Sequence, residues 1–179
     1  MNSRIEQGRD GEKSFSTWLN ENNFGFIEIK QNADDLANVF KGALKRPDFL
    51  ILLPSIGLIA IDVKNHNVTK SGFSLNIPTD LAKSIEFETQ FKIYLWYAYK
   101  DAKSSGDTWY FISALDAIEH GDQKTNSKNG EAFVYVPLAK FTKVQSGEDM
   151  SKLLSTRIGT IGTVARMVES YFSTAKLPR

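Results

Sequence analysis

At 179 residues, 41% of them hydrophobic, the chain can build one sizeable core, and a single domain over 1–179 is expected. It has no cysteine, which excludes disulfides, zinc fingers and cysteine-ligated iron-sulfur clusters, and its formal net charge of +1 excludes a global basic field. The N-terminal MNSRIEQGRDGEK lacks an apolar h-region, and the longest apolar stretch, 49–63, is broken by Pro54, Ser55, Gly57 and Asp62, short of the ~18 residues of a membrane span. A soluble protein without a membrane partner follows, with a cytoplasmic address as the default.

In chain order, Ile5, Gly8, Glu12, Phe15 and Leu19 recur at steps of three and four, which predicts an amphipathic helix over about 4–20 with Glu12 inside its apolar arc. Residues 24–30 alternate apolar and polar and predict a first strand. The polar stretch 31–46 reads as a loop with one short helix near 36–40. Two apolar runs, 48–53 and 58–64, flank Pro54-Ser55-Ile56-Gly57 and predict a hairpin of central strands covered on both faces.

A short strand is expected over 73–77, and Pro78-Thr79-Asp80 offers a start for a long second helix over 81–103. Strands follow at 109–115 and 133–136, separated by a polar, candidate mobile loop at 120–130, and a helix over 150–172 ends the reading. The order is helix, three strands, helix, strand, then a C-terminal strand and helix. The core occupies about 5–115 and the extension about 116–179.

The chemistry concentrates on the hairpin. Asp62 and Lys64, two apart on a strand, project from one face, where unpaired charges would cost several kcal/mol each. Asp48 opens the partner strand, so two carboxylates could converge on a hard divalent cation such as magnesium, with the Val63 carbonyl as a further ligand. Convergence needs Leu52 opposite Leu58, across a five-residue loop, or a bulge with the same effect, because pairing Leu53 with Leu58 puts the acids on opposite faces. Glu12 adds a third carboxylate on the packing face of the first helix. Gln90 and Tyr94 share a face of the second helix with Lys83 and Tyr97.

Taken together, Pro47-Asp48 followed by Asp62-Val63-Lys64 between two helices resembles the PD-(D/E)XK nuclease superfamily. The resemblance implies an α/β fold with a restriction-endonuclease-like core, a central mixed sheet flanked by helices. It implies Asp48, Asp62, Val63 and Glu12 as metal ligands, for Mg2+ or alternatively Mn2+, and Lys64 as the residue that orients the attacking water. Gly8-x-x-Gly11-Glu12-x-x-Phe15 looks like the superfamily's first-helix glutamate element. Gln90-Phe91-Lys92-Ile93-Tyr94 matches the RecB-like Gln-hydrophobic-x-x-Tyr motif, which implies Gln90 and Tyr94 at the active site.

The expected activity is hydrolysis of DNA phosphodiester bonds, RNA being also compatible, by a resolvase, a restriction or repair endonuclease, or a mobile-element or toxin DNase. A homodimer is compatible with each. Lys45 and Arg46, with Lys41, Lys70, Lys124 and Lys128, are candidates for phosphate contacts, and His66 reads as a loop residue past the site strand. The alternative is a catalytically inactive nuclease-fold module that binds nucleic acid or protein.

Overall fold

The computed structural model describes residues 2–30, 42, 44–54, 57–66, 71–101 and 106–155. Helix α1 (Asn2–Glu21) buries Phe15, Trp18 and Leu19, the apolar positions of its periodic stripe. It closes where Phe24 N–H returns to the Leu19 carbonyl at 3.0 Å, with Asn23 at φ 57° making the turn. Strands β1 (Gly25–Glu28), β2 (Phe49–Leu53) and β3 (Gly57–His66) then form an antiparallel meander.

Beyond β3 the chain makes β4 (Gly72–Asn76), a π-helical turn (Ile77–Leu81) and helix α2 (Ala82–Phe91) before re-entering the sheet as β5 (Leu95–Asp101), parallel to β3. Strand β6 (Trp109–Ser113), helix α3 (Ala114–His120), strands β7 (Asp122–Thr125), β8 (Ala132–Pro137) and β9 (Thr142–Val144), and the short helix α4 (Lys152–Ser155) follow. The main sheet runs β1-β2-β3-β5-β6-β9, and a second, three-stranded sheet runs β4-β8-β7. With one parallel pair among antiparallel ones, the main sheet is mixed, and the order α1-β1-β2-β3-α2-β5 matches that expected of a restriction-endonuclease-like core, with β4 inserted before α2.

Alternation along the strands divides the interior into two cores. On one face Phe49, Ile51, Ile59, Ile61, Trp96, Trp109 and Phe111 pack under α1. On the other, Ala60, Leu95, Tyr97, Tyr99 and Ile112 pack against α2, α3 and the second sheet through Phe87, Ala117, Phe73 and Val134. The cover on this second face is incomplete near β2, where Leu52 is 53% and Leu58 46% exposed. The hairpin strands are therefore not apolar-covered on both sides along their whole length.

The second helix departs from its expected span. It stops at Phe91, where Lys92 takes a left-handed φ of 58°, and residues expected to continue it form β5. Leu95, Trp96, Tyr97, Ala98 and Tyr99 are all buried, the continuous apolar run of a central strand with a parallel neighbour. The expected loop at 120–130 is the start of a β7–β8 hairpin, whose β7 side chains are all exposed and so carry no alternation to read. Residues 36–40 and 156–172 lie outside the described residues.

Helix α1 lies close to β3 at Gly11, where the methyl of an alanine would stand 2.6 Å from the Asn65 Cβ. Asn65 is held in the sheet by its pairing with Lys100 of β5 and its side chain by the Gln7 carbonyl, so it resists retreat. Gly11→Ala is therefore expected to destabilise by about 1–3 kcal/mol despite alanine's better helix propensity. The check is a lowered urea midpoint at unchanged slope.

Candidate active site

The hairpin adopts the register that convergence requires: Leu52 faces Leu58 and Phe49 faces Ile61. Just before β2, Asp48 N–H donates to the Ile61 carbonyl at 2.8 Å, so two successive residues oppose one, the count of a β-bulge. The Asp48 side chain then takes the next ladder position. Its Oδ2 accepts the Val63 N–H at 2.7 Å, which brings the carboxylate to the peptide joining Asp62 to Val63.

Asp62 and Lys64 project from one face of β3, beside Tyr97 and Tyr99 of β5 in the parallel register. Asp62 is only 4% exposed. Its Oδ1 lies 3.1 Å from the Lys64 ammonium, and its Oδ2 pairs with the Lys45 ammonium. Asp80, from the π-helical turn, contacts Lys45 at 2.9 Å and Lys64 at 3.0 Å through the same oxygen. Two acids and two lysines thus form a compact quartet of zero net charge.

Electrostatics follow from that arrangement. Burial and the Lys64 charge lower the Lys45 ammonium to about 8, with Asp80 opposing. Burial also works against the Lys64 charge, but Asp80 and the adjoining tyrosines outweigh it and raise Lys64 above its ordinary value. Asp80 is driven down to about 2, the two lysines overcoming its burial. Burial raises Asp48, against the Val63 N–H, Lys45 and Lys64, while burial and then the Asp48 and Glu28 charges raise Glu12. Asp48 thus interacts both with the lysines of the Asp62 face and with Glu12 on α1.

The expected donors, the Asp48 and Asp62 carboxylates, Glu12 and the Val63 carbonyl, are oxygen throughout and so of the type a hard divalent cation takes, but these three acids are not among the described groups whose ligand atoms gather within 4.8 Å of one another. In a ladder a residue's N–H and C=O point to the same neighbour, so the Val63 carbonyl faces the side on which its N–H meets Asp48. The engagement of both Asp62 oxygens by lysines means that a cation there must displace Lys45 or share Asp62 with it.

A separate group on α3, Asp116, Glu119 and His120, brings its ligand atoms within 4.8 Å of one another and could chelate a divalent metal. Asp116 is also tied to the Ser113 hydroxyl at 2.6 Å as part of the helix cap.

The other expected site residues lie elsewhere. Gln90 is exposed and donates to Glu86 at 3.0 Å; at 1.5 Å rise per residue it stands about 12 Å beyond Ala82, at the end of α2 away from Asp80. Tyr94 is 56% exposed, and its carbonyl accepts the Ala60 N–H. The structure brings neither to the quartet. Lys45, expected to face phosphates, turns inward to Asp62 and Asp80, whereas the Arg46 guanidinium reaches the Lys30 carbonyl at 3.4 Å. Lys124 sits over the Tyr135 ring at 4.5 Å. His66 lies at the end of β3, and Lys41 and Lys70 lie outside the described residues.

Sequence reasoning misses Asp80 as a site residue, because it reads there as part of a helix start. No local signal marks it, because its two lysine partners lie 16 and 35 residues away in sequence. A cleft of about 700 Å³ opens over this group, walled by Gln7 and Gly8 of α1, Lys64 and His66 of β3, Asn76 and Asp80, and Asn126 and Glu131 of the β7–β8 hairpin.

A mixed sheet flanked by helices, with an acid-x-lysine strand beside a carboxylate-bearing turn, is consistent with a nuclease-like scaffold. No family model matches the sequence, and no curated protein matches it. Among solved structures the chain is similar to Hjc, a Holliday junction resolvase from the archaeal hyperthermophile Archaeoglobus fulgidus, at 13% identity and a TM-score of 0.49, over 79% of this chain and 93% of that one.

Proposed function

We propose that the chain is a metal-dependent nuclease that hydrolyses phosphodiester bonds, with DNA as the first substrate to test. The observation that carries this reading is the Asp48 carboxylate bound to the amide of Val63, between Asp62 and Lys64. Asp48, Asp62 and the Val63 carbonyl would hold Mg2+ or Mn2+, with Glu12 contributing from α1. A divalent cation held there supplies Lewis acidity toward a phosphoryl oxygen and makes its water more acidic.

The chain's own groups do the rest. The Lys64 ammonium, kept charged by Asp80, orients the attacking water and offsets negative charge developing on the phosphoryl group. Lys45 presents a second ammonium beside the same carboxylate and can turn to a phosphate oxygen. Because the quartet is neutral, most of the long-range attraction for nucleic acid must come from surface lysines.

Incubation with closed circular, linear and single-stranded DNA, with Mg2+ or Mn2+ and with chelator, tests this reading. Metal-dependent cleavage abolished by chelator is expected, and nicking of closed circles identifies endonuclease action. Binding without cleavage under either metal would instead establish the non-catalytic module, the reading favoured by the double lysine pairing of Asp62.

A further inference from the structure

Asp80 enters the site from outside the strands that carry the acid-x-lysine pair. It is 16 residues from Lys64 and 35 from Lys45 in sequence, yet one of its oxygens lies 3.0 Å and 2.9 Å from their ammonium groups. Its other oxygen accepts the Asn76 N–H at 3.2 Å. The Asn76 side chain in turn accepts the Thr79 N–H at 3.0 Å, fixing the turn on which Asp80 stands. The carboxylate is thus anchored on one side and faces both lysines on the other.

From this geometry we propose that Asp80 is a positioning residue of the nuclease site: it holds the Lys64 ammonium against Asp62 and facing the cleft, a role that rests on the nuclease reading above. Lysine has a long, flexible stem and finds no fixed direction by itself. With Asp62 as the sole ion-pair partner, one negative charge would face two ammonium groups that repel each other. Asp80 supplies a second negative charge, shared by both ammonium groups through one oxygen. Tyr97, whose ring lies 5.8 Å from the Lys64 ammonium, and Tyr99 beside it limit the space into which Lys64 could swing. The low pKa of Asp80, about 2, keeps this counter-charge in place at any working pH.

The test uses two readouts on the full chain. One is the ammonium 15N–1H correlation of Lys64 in the metal-free protein, assigned by its loss in Lys64→Arg. The other is steady-state cleavage. Asp80→Asn is expected to weaken or erase the Lys64 correlation and to lower kcat by about tenfold or more, the scale of a misplaced catalytic group, with KM changed by no more than about twofold. Asp80→Glu, which keeps the charge, is expected to recover part of both. An unchanged Lys64 correlation, or an unchanged kcat in a protein that does cleave, overturns the proposal.

If the wild-type protein cleaves nothing, the nuclease reading falls, and the spectrum alone decides whether Asp80 holds Lys64. If Asp80→Asn fails to fold, Asp80→Glu is measured against wild type instead: a shifted Lys64 correlation with lowered kcat supports the role, and no change in either overturns it.

Discussion

Asp62→Asn is expected to lose about 100-fold or more of metal-dependent cleavage, the scale for removing a preorganised electrostatic partner from a reacting centre. The substitution keeps the side chain's shape and one acceptor oxygen, so lost charge is its main consequence. Asp62 is nearly inaccessible and engages two lysines, and without it Lys45 and Lys64 keep their ion pairs with Asp80 but lose the closest buried charge. Breaking a buried ion pair by removing one partner costs about 3–5 kcal/mol, and the retained Asp80 should keep the loss near the lower end. Folding therefore has to be monitored alongside activity, by thermal unfolding followed by circular dichroism. A folded Asp62→Asn protein that still cleaves plasmid with Mg2+ would refute the mechanism.

Phe15→Ala is expected to be the most destabilising single change of a core side chain, by about 3–5 kcal/mol. Phe15 is fully buried and meets four other aromatic rings: Trp109 edge-on at 4.7 Å, Phe49 edge-on at 5.4 Å, Trp18 stacked at 5.8 Å and Phe111 at 6.1 Å. Rings from β2 and β6 cannot collapse into the space, because both strands are held in the sheet, so a cavity remains. The effect should reach the site as well, since α1 carries Glu12 one turn before Phe15 and docks through this ring. Metal affinity is expected to fall together with the urea midpoint. Stability within about 1 kcal/mol of wild type would show that α1 is held mainly by other contacts.

The hairpin and its register are legible in the sequence because chemistry constrains them. Leu52 opposite Leu58, or a bulge with the same effect, brings Asp48 to the Asp62 side of the sheet; the pairing is observed, together with a bulge at Asp48 whose place has no signature in residue type. The end of the second helix is not legible, because nothing in Gln90-Phe91-Lys92-Ile93-Tyr94 is a helix breaker; the stop is a left-handed lysine whose N–H still returns to the Glu88 carbonyl. Strand β5 hides behind its aromatic residues, which fit a covered helix as well as a central strand. Asp80 is invisible as a site residue for a different reason. Its meaning depends on partners brought close only by the fold, and locally it is an ordinary acid in a helix-start turn.

The balanced quartet also bears on how such a chain can change over generations. Lys45, the Asp62–Lys64 pair and Asp80 come from three separate stretches of sequence, but their charges balance in a partly closed space. A substitution at any single position strands an opposite charge there, whereas paired loss of Lys45 and Asp80 keeps the balance. Positions 45 and 80 should therefore covary among descendants of this chain, while 62 and 64 persist or disappear together with the activity.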